Sequence, residues 1–565
     1  MPQLDLATLH EAIAAAVPDR ECVVWRGGRR TWAEVAERTR RLAHVLHAHG
    51  LGVHGTATRP WESPHDHLAL YLHNGPAYLE GLLAAHKARV APFNVNYRYV
   101  DDELAQLFGD ARPRAVMYHA CFADVIARVL ERIERPALLI QVPDASGERL
   151  LPGALDYETA LAEAPAGPLE GVRPDPGDLH ILYTGGTTGL PKGVLWRIGD
   201  LMTGPLGLAR RDGTPITDLD EAVERATRSR DRVLVGPPLM HGGGTWTALG
   251  AWIAGGCVVF PGRVDGLDAA DLVATAARER VTRMPVVGDA FARPILEELE
   301  RGGVDLPELR TLLNSAAAIS PDVARRLQER LPHVRIVDVL GSSESGFQVT
   351  RRGASDGPFV PRPDARVLSA DRTRRLSPGE DELGWLAKTG ALPLGYLNDP
   401  ERTAATFRVV EGERVVIPGD RARLLADGRV EVHGREATTI NTGGEKVFAE
   451  EVEGVLRTLP GVRDALVVGR PSERWGTEIV AVLRVDGDGP DDAELRAGCA
   501  GRLARYKIPK AFVRTRRGLR LPNGKADYAA ARALVADAGG TGDGTGGETG
   551  DETGGDAARP ALRRR

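Results

Sequence analysis

Short apolar runs alternate with amphipathic, helix-like segments from about residue 20 to residue 430 of the chain. The apolar run 68–72 precedes a helical pattern over 78–89, and the run 335–339 follows a helical pattern over 322–331. Repeated alternation of this kind is typical of βα units, in which helices cover a mostly parallel sheet. The pattern therefore predicts an α/β fold whose large N-terminal domain contains doubly wound, mostly parallel sheets.

A smaller unit is predicted after residue 435. In order, its pattern indicates a helix, two strands and a second helix, over residues 449–457, 464–469, 478–485 and 491–504. We expect a compact α+β domain that ends near residue 537. Residues 538–565 are rich in Gly, Thr, Asp and Glu, and a segment with so little apolar surface to bury is expected to be disordered.

Composition argues against several classes of function. The net charge of the 565 residues is −5 at pH 7, so no overall basic field favours nucleic acid as a partner. The four cysteines stand far apart without a C-x-x-C pair, which argues against a zinc site or a disulfide framework and predicts buried thiols. The first residues lack the basic start and apolar core of a secretory signal, which predicts a cytoplasmic protein.

One uncharged stretch, residues 233–260, is long enough to span a membrane, since a span needs roughly 20 residues. Pro237, Pro238 and the glycines 242–244 would break a lipid-exposed helix near its start. We therefore expect no transmembrane segment here, but a buried strand, a loop, a helix and a second strand.

The segment from Tyr183 to Gly193, YTGGTTGLPKG, has the composition of a loop that binds phosphate. Its glycines let backbone N–H groups approach an anion closely, its threonines add hydroxyl donors, and Lys192 adds a compact positive charge. It is not a Walker A loop, because that motif has Ser or Thr directly after its Lys, whereas Gly193 follows Lys192. A glycine- and threonine-rich surface turn is the alternative interpretation.

Lysine is rare in this chain, since only seven of the 73 Lys and Arg residues are lysines. Three of the seven stand in glycine-containing loops, namely Lys192, Lys446 and Lys525. Arginine is the ordinary surface cation here, so a lysine in such a loop suggests a need for a compact point charge rather than a planar guanidinium. Chance composition is the alternative.

Further motifs follow the phosphate loop: LMHGGG at 239–244, LGSSESG at 340–346, PGD at 418–420 with GR at 434–435, INTGGEKV at 440–447 and PNGK at 522–525. Together they resemble the adenylate-forming superfamily of acyl-CoA synthetases, luciferases and peptide-synthetase adenylation domains. The resemblance covers the chain from about residue 10 to residue 535. Within the superfamily, the sequence looks most like actinobacterial synthetases for fatty acids and sterol side chains.

The resemblance implies roles for single residues. Glu344 matches the Mg²⁺ ligand and catalytic carboxylate of the family, a role that suits a hard oxygen ligand. Asp420 matches the residue that binds ribose, Arg435 matches one that reaches phosphate, and His241 matches the catalytic residue that gates the acyl carboxylate. The residues that the resemblance assigns to the ATP phosphates are Thr184, Gly185, Gly186, Thr187, Thr188, Gly189, Lys192 and Ser343.

The resemblance also implies two elements that alternate at the active site. Lys525 matches the catalytic lysine that bridges the acid and ATP during adenylation, whereas Gly443, Gly444 and Lys446 belong to the loop that lines the path of the CoA thiol. The implied domains are an AMP- and acyl-binding domain at 1–434, a hinge at 435–437 and a mobile domain at 438–537. Two positions depart from the family pattern, since Leu340 replaces an aromatic residue and Ala437 replaces Asp or Lys at the pivot.

The sequence thus predicts an AMP-forming acid-thiol ligase, an acyl-CoA synthetase that uses ATP, Mg²⁺ and coenzyme A. The expected substrate is a medium- or long-chain fatty acid or a sterol side-chain acid. The alternatives are an acyl-AMP ligase that loads a carrier protein, a catalytically impaired adenylate-binding homologue, and an α/β-hydrolase suggested by His241 and its three glycines. The chain lacks the G-x-S-x-G elbow that such a hydrolase needs, which argues against that alternative. The oligomeric state stays open, with a homodimer among the alternatives.

Overall fold

The computed structural model of the chain describes residues 3–185, 191–210, 212–316, 319, 321–353, 357–435, 439–485, 487, 489–519 and 527–540. Strands and helices alternate in its first part. The elements are α1 (Leu6–Ala16), β1 (Glu21–Trp25), β2 (Gly28–Thr31), α2 (Trp32–Ala48), β3 (His67–Tyr71), α3 (Pro76–Lys87), β4 (Ala91–Asn94), α4 (Asp101–Ala111), β5 (Ala115–His119), a short 3₁₀ helix (Ala120–Phe122), α5 (Ala123–Leu130), β6 (Leu138–Val142), β7 (Leu155–Asp156) and α6 (Tyr157–Glu163).

The middle part continues this alternation. Its elements are β8 (Leu179–Gly185), β9 (Pro191–Arg197), α7 (Ile198–Thr203), α8 (Leu219–Thr227), β10 (Arg232–Leu234), α9 (Gly242–Ile253), β11 (Cys257–Val259), α10 (Ala269–Arg278), β12 (Arg283–Val286), α11 (Gly288–Arg301), β13 (Thr311–Asn314), α12 (Pro321–Arg330), β14 (Arg335–Ser342), β15 (Gly346–Arg352) and β16 (Val360–Pro361).

The last part is richer in strands. Its elements are β17 (Ala365–Leu368), β18 (Gly384–Lys388), β19 (Gly395–Tyr396), α13 (Pro400–Thr406), β20 (Phe407–Val410), β21 (Glu413–Val416), β22 (Asp420–Leu424), β23 (Val430–Arg435), β24 (Thr439–Thr442), β25 (Glu445–Phe448), α14 (Ala449–Leu456), β26 (Val462–Ser472), β27 (Gly476–Val485), α15 (Asp492–Ala500), β28 (Ala511–Thr515) and α16 (Tyr528–Gly540).

Two large sheets with parallel centres form most of the N-terminal part, as predicted. One has eight strands in the order β19-β9-β8-β4-β3-β5-β6-β7, and the other has nine in the order β16-β15-β14-β13-β12-β10-β11-β1-β2. Side chains of β1, β3, α1, α2, α3 and α9 share one apolar core that joins the two sheets. Every residue of β3 and of β6 is buried, which is typical of parallel sheets covered on both faces.

The region from Ala365 to Arg435 differs from the predicted βα pattern. Strands β17, β18 and β20 to β23 form a third sheet whose pairings are all antiparallel. These strands are short, and two of them, β20 and β21, carry exposed arginines, as in the sequence FRVV of β20. A half-exposed antiparallel sheet produces such a pattern, because only one of its faces packs against a core.

The C-terminal residues form a small separate domain around the sheet β26-β27-β28. Successive residues of β26 point to opposite faces, so Ala465 and Val467 pack with α14 and α15, whereas Leu466 and Val468 pack with α16. Helix α15 ends at Ala500, four residues before the predicted end, and β28 and α16 were not predicted. Residues 541–565, which include most of the predicted tail, lie outside the described residues.

The uncharged stretch 233–260 forms β10, a loop, α9 and β11, as predicted. No helix in the described ranges is long and apolar enough to cross a membrane. The prediction of four buried thiols is wrong for Cys121, which is exposed in the short 3₁₀ helix, whereas Cys22, Cys257 and Cys499 are buried.

Candidate active site

The predicted phosphate loop connects two adjacent strands of the eight-stranded sheet. Strand β8 runs into the loop and β9 leaves it, with Thr184 opposite Lys192 in the antiparallel register. Gly185 is the last residue of β8, whereas Gly186, Thr187, Thr188 and Gly189 lie outside the described residues. The loop therefore follows the C-terminal end of a strand that is parallel to its neighbour β4, which is where ligands bind in open α/β sheets.

Lys192 makes an ion pair with Glu344, which follows β14 of the nine-stranded sheet. The distance from Lys192 Nζ to Glu344 Oε1 is 2.7 Å, and only 8% of the Glu344 side chain is exposed. The pair brings together two residues that the sequence assigned to different ligands, namely phosphate and metal. In this arrangement the cationic Nζ of Lys192 balances the charge of the Glu344 carboxylate.

Tyr396 is a third member of this group, and the sequence analysis missed it. Its buried hydroxyl donates a hydrogen bond of 2.8 Å to Glu344 Oε1 and accepts one of 3.1 Å from Lys192 Nζ. Burial, with Glu344 nearby, raises the pKa of Tyr396 above its ordinary value, so the hydroxyl stays protonated. Tyr396 lies in β19, opposite Val194 of β9, and only this long-range pairing places it beside Lys192.

The donor set at Glu344 suits magnesium supplied together with a nucleotide. No cluster of three or more His, Cys, Asp or Glu side chains in the described ranges could hold a metal ion on its own. Mg²⁺ is usually bound through one or two carboxylates, with substrate phosphates and water completing its ligands. A single buried carboxylate beside the phosphate loop fits that pattern.

The turn that carries Ser343 is held against the phosphate strand β9. The indole N–H of Trp196, in β9, donates a hydrogen bond of 2.9 Å to the backbone oxygen of Ser343. The hydroxyl of Ser342 accepts a 3.2 Å hydrogen bond from the backbone N–H of Glu344. Leu340 packs with the apolar cluster that contains Val349. Leu340, which replaces the aromatic residue of the family pattern, thus packs against an apolar core.

His241 lies at the start of α9 and contacts the C-terminal domain. Its Nε2 is 3.0 Å from Glu445 Oε2, and Arg98 makes an ion pair with the same carboxylate. Desolvation at the cleft, together with the charges of Arg98 and Lys446, lowers the pKa of His241 to about 3, although 39% of its side chain is exposed. The imidazole is therefore neutral at pH 7, and Arg98 supplies the positive partner of Glu445.

Gly443 and Gly444 form the two-residue turn between β24 and β25. Their φ values are +56° and +85°, and two successive residues with positive φ are typical of a type I′ hairpin turn, in which glycine avoids a steric clash. The backbone N–H of Gly443 donates a 3.0 Å hydrogen bond to the carbonyl oxygen of Trp475. An added Cβ on Gly444 would lie 2.7 Å from Val287 Cγ1, so this turn touches the N-terminal domain.

A cleft of about 170 Å³ lies where these parts meet. Thr184, His241 and Ser343 line it from the N-terminal part, and Gly444 and Lys446 line it from the C-terminal domain. Phe347 also lines the cleft, and its ring packs edge-on against Trp246 of α9. The structure thus gathers five of the sequence-predicted residues around one cavity.

Two other predicted residues are neighbours away from this cleft. Asp420 begins β22 and pairs across the antiparallel ladder with Arg435 at the end of β23. Asp420 is buried, with 4% of its surface exposed. The catalytic lysine predicted for adenylation, Lys525, and the predicted pivot, Ala437, lie outside the described residues.

Comparison with known families identifies the family of the chain. Residues 10–391 match the family of AMP-binding enzymes, and residues 451–525 match the AMP-binding enzyme C-terminal domain. The chain therefore belongs to the AMP-binding enzyme family, and the predicted membership of the adenylate-forming superfamily is confirmed.

Two relatives of similar length are named as acyl-CoA ligases. The chain is 47% identical over 531 residues to the medium-chain acyl-CoA ligase Mig of Mycobacterium avium, with 92% of this chain and 96% of the relative covered. It is 35% identical over 546 residues to a 3-oxocholest-4-en-26-oate–CoA ligase of Rhodococcus rhodochrous, with 94% and 95% covered. The amide bond synthetase McbA of Marinactinospora thermotolerans has the same fold, with a TM-score of 0.76 at 23% identity over 94% of this chain and 99% of that one.

Proposed function

We propose that this protein is an ATP-dependent acyl-CoA synthetase that works in two steps. In the first, a carboxylate oxygen of the acid attacks the α-phosphorus of ATP, which gives acyl-AMP and releases pyrophosphate. In the second, the sulfur of coenzyme A loses its proton and attacks the acyl carbon, and AMP leaves with the electrons of the broken C–O bond. The observation that carries the proposal is the position of Gly444 in one cleft with Thr184, Ser343 and His241.

The reaction class has independent support. Relatives named as acyl-CoA ligases match more than nine tenths of the chain, at 47% and 35% identity, which confirms the prediction of ATP-dependent acyl-CoA synthesis. In the described part of the chain, His241 contacts Glu445 rather than a serine hydroxyl, so the contacts of His241 do not favour the hydrolase alternative.

In the first step, the group formed by Lys192, Glu344 and Tyr396 would handle the phosphate charge. Glu344 would hold Mg²⁺, which when bound neutralises negative charge on the phosphate oxygens. Lys192 would then exchange its contact with Glu344 for one with phosphate, and the hydroxyls of Thr184 and Ser343 would donate hydrogen bonds. Donors fixed before the reaction stabilise the developing charge without a cost of reorganisation at that moment.

In the second step, the hairpin turn and His241 would define the path of the thiol. The turn residues have no side chains, so a thin pantetheine arm can pass close to the backbone. His241 is neutral, because desolvation and the charges of Arg98 and Lys446 lower its pKa, and it therefore adds no charge beside the acyl carbonyl. Its contact with Glu445 orients the imidazole and holds the hairpin against the N-terminal domain.

The two steps need different groups in the same cleft. We propose that residues 435–437 act as the hinge between a domain at 1–434 and a mobile domain at 438–537. Rotation about this hinge would exchange Lys525, used in adenylation, for the Gly443-Gly444 turn, used in thioester formation. In the arrangement described here Gly444 lies in the cleft, which corresponds to the second step.

The proposed acid is a medium- or long-chain fatty acid or a sterol side-chain acid. The support comes from the names of the two relatives, one a medium-chain acyl-CoA ligase and the other a ligase of a cholestenoate. Gly242, Gly243 and the ring of Phe347 form an apolar part of the cleft lining, against which the part of the acid next to its carboxylate could pack.

A panel of acids tests the proposal. The purified protein is incubated with ATP, Mg²⁺, coenzyme A and each of a set of fatty, aromatic and steroid acids, while AMP release is measured and the thioester is identified by mass. We expect acyl-CoA to form with a fatty or sterol side-chain acid. Pyrophosphate exchange without any CoA product would favour the carrier-loading alternative, and absence of exchange would favour the impaired homologue.

A further inference from the structure

An ion cluster outside the predicted motifs joins the two domains beside the cleft. Lys507 Nζ lies 2.5 Å from Glu103 Oε1 and 2.6 Å from Glu451 Oε1. All three side chains are largely buried, with exposed fractions of 6%, 9% and 12% for Lys507, Glu103 and Glu451. The ammonium group also lies 5.0 Å from the ring centroid of Tyr99, a favourable cation–π distance.

The members of this cluster come from different domains. Glu451, in α14, and Lys507, which precedes β28, both belong to the C-terminal domain, whereas Glu103 belongs to α4 of the N-terminal domain. The pair of Lys507 and Glu451 would therefore move with the C-terminal domain, and Glu103 would stay behind. A 3.1 Å hydrogen bond from Asn96 Nδ2 to Tyr506 Oη crosses the same boundary.

Glu103 is fixed before it meets Lys507. Its Oε2 accepts a 3.2 Å hydrogen bond from the backbone N–H of Val100, the residue that precedes α4. Because one carboxylate oxygen is held by its own helix, the other points at a defined place on the domain boundary. Little side-chain freedom remains to be lost when Lys507 arrives.

The cluster is close to the element that the second step uses. Helix α14, which carries Glu451, begins directly after β25, the strand that leaves the Gly443-Gly444 turn. Lys507 and Glu451 line the same cleft as Gly444 and Lys446. A contact that fixes α14 against α4 therefore also limits how far the hairpin turn can move away from His241.

We propose that Glu103 is a positioning residue for thioester formation, which acts through Lys507 to hold the C-terminal domain with the Gly443-Gly444 turn in the cleft. The inference rests on the proposed two-step function. In the adenylation arrangement Lys507 would keep Glu451 as its partner, while Glu103 would be hydrated. Such a contact suits a reversible movement, because the cost of desolvating the buried charges offsets most of their attraction. The main effect of the contact is then to orient the two domains.

The variant Glu103→Gln tests this role. The side-chain oxygen of glutamine can also accept the hydrogen bond from the backbone N–H of Val100, so the start of α4 is preserved while the charge facing Lys507 is lost. We expect the single-turnover rate of thioester formation from supplied acyl-AMP and CoA to fall by about tenfold, within the range usual for coupling between two sites, while pyrophosphate exchange is unchanged. The matched control is Asp102→Asn, the preceding residue, whose exposed carboxylate pairs with Arg132 at 2.8 Å. Both half-reactions should be unchanged in that control.

A double-variant cycle separates positioning from general damage. If Glu103 acts through Lys507, the effect of Glu103→Gln disappears in a Lys507→Gln background. The unfolding midpoint of each variant is measured, and if Glu103→Gln does not fold, Glu103→Asp, which keeps the charge but withdraws it, should give an intermediate loss of the thioester rate.

Three results would overturn the inference: an unchanged thioester rate, an equal loss in both half-reactions, or a loss that persists without Lys507. Failure of the wild-type protein to form acyl-CoA would instead remove the proposed function itself, and the inference with it.

Discussion

Replacement of Gly444 by alanine separates the two half-reactions by a steric effect at the domain boundary. The new Cβ would lie 2.7 Å from Val287 Cγ1, which is closer than carbon atoms approach in proteins. Val287 lies between β12 and α11 of the N-terminal domain, so the clash exists only when the turn occupies the cleft. Overpacking of this kind costs about 1–3 kcal/mol, which corresponds to about a 5- to 150-fold lower rate of thioester formation.

The backbone strain of the same substitution has to be measured separately. Gly444 has a φ of +85°, where alanine costs about 1–2 kcal/mol in either domain arrangement. Gly476→Ala is the matched control, because Gly476 is in the same domain with a φ of +69° and has no atom within 4 Å of an added Cβ. The assays are single-turnover thioester formation from acyl-AMP and pyrophosphate exchange. If Gly444→Ala slowed both equally, or matched Gly476→Ala in the thioester assay, the assigned position of the turn would be refuted.

Three further predictions concern the first step and the pH dependence. Tyr396→Phe removes a hydrogen bond to a buried carboxylate, a loss of about 1.5–3 kcal/mol, so pyrophosphate exchange should slow and need more Mg²⁺, as a titration with the metal would show. Lys525→Ala should abolish exchange yet largely spare thioester formation from supplied acyl-AMP; equal loss of both would contradict its assigned role. The pKa of His241 in the folded protein lies below that of an unfolded histidine, so His241 stays neutral as the pH falls from 8 to 5. Below about pH 6.5 the unfolded chain binds a proton at His241 that the folded protein does not, which lowers the stability of the folded protein. The pH profile of thioester formation should therefore keep its shape in His241→Gln, and a histidine inflection lost in that variant would argue otherwise.

Strands that are buried on both faces were predicted best from the sequence. Strand β3 was expected over 68–72 and spans His67–Tyr71, since a strand covered on both faces is a continuous apolar run. Strand β21, with the sequence ERVV, was not predicted, although its partner β20 is adjacent in sequence, because only two of its four residues are buried and so short an apolar run gives no clear strand pattern. Strand β28 pairs in parallel with β27 across a helix, and such pairing depends on tertiary packing rather than on local preference.

The candidate site was also predicted only in part. Lys192 and Glu344 stand in motifs whose residue types already indicate phosphate and metal, so each could be selected from the sequence. The contact between Lys192 and Glu344, and the role of Tyr396, could not be predicted, because nothing in the sequence around Tyr396 indicates that it lies beside these two residues. Glu103 and Lys507 were missed for a related reason, since each resembles an ordinary helix-capping or surface residue until the two domains meet.

The convergence of separate sheets on one cleft has a consequence for biosynthesis. Thr184 reaches the cavity from the eight-stranded sheet, Ser343 follows a strand of the nine-stranded sheet, and Gly444 belongs to a domain that is translated after both. A nascent or partly refolded chain in which these three parts have not yet met therefore lacks the complete cleft. Catalytic competence should appear late in refolding, after the spectroscopic signals of helices and sheets have recovered.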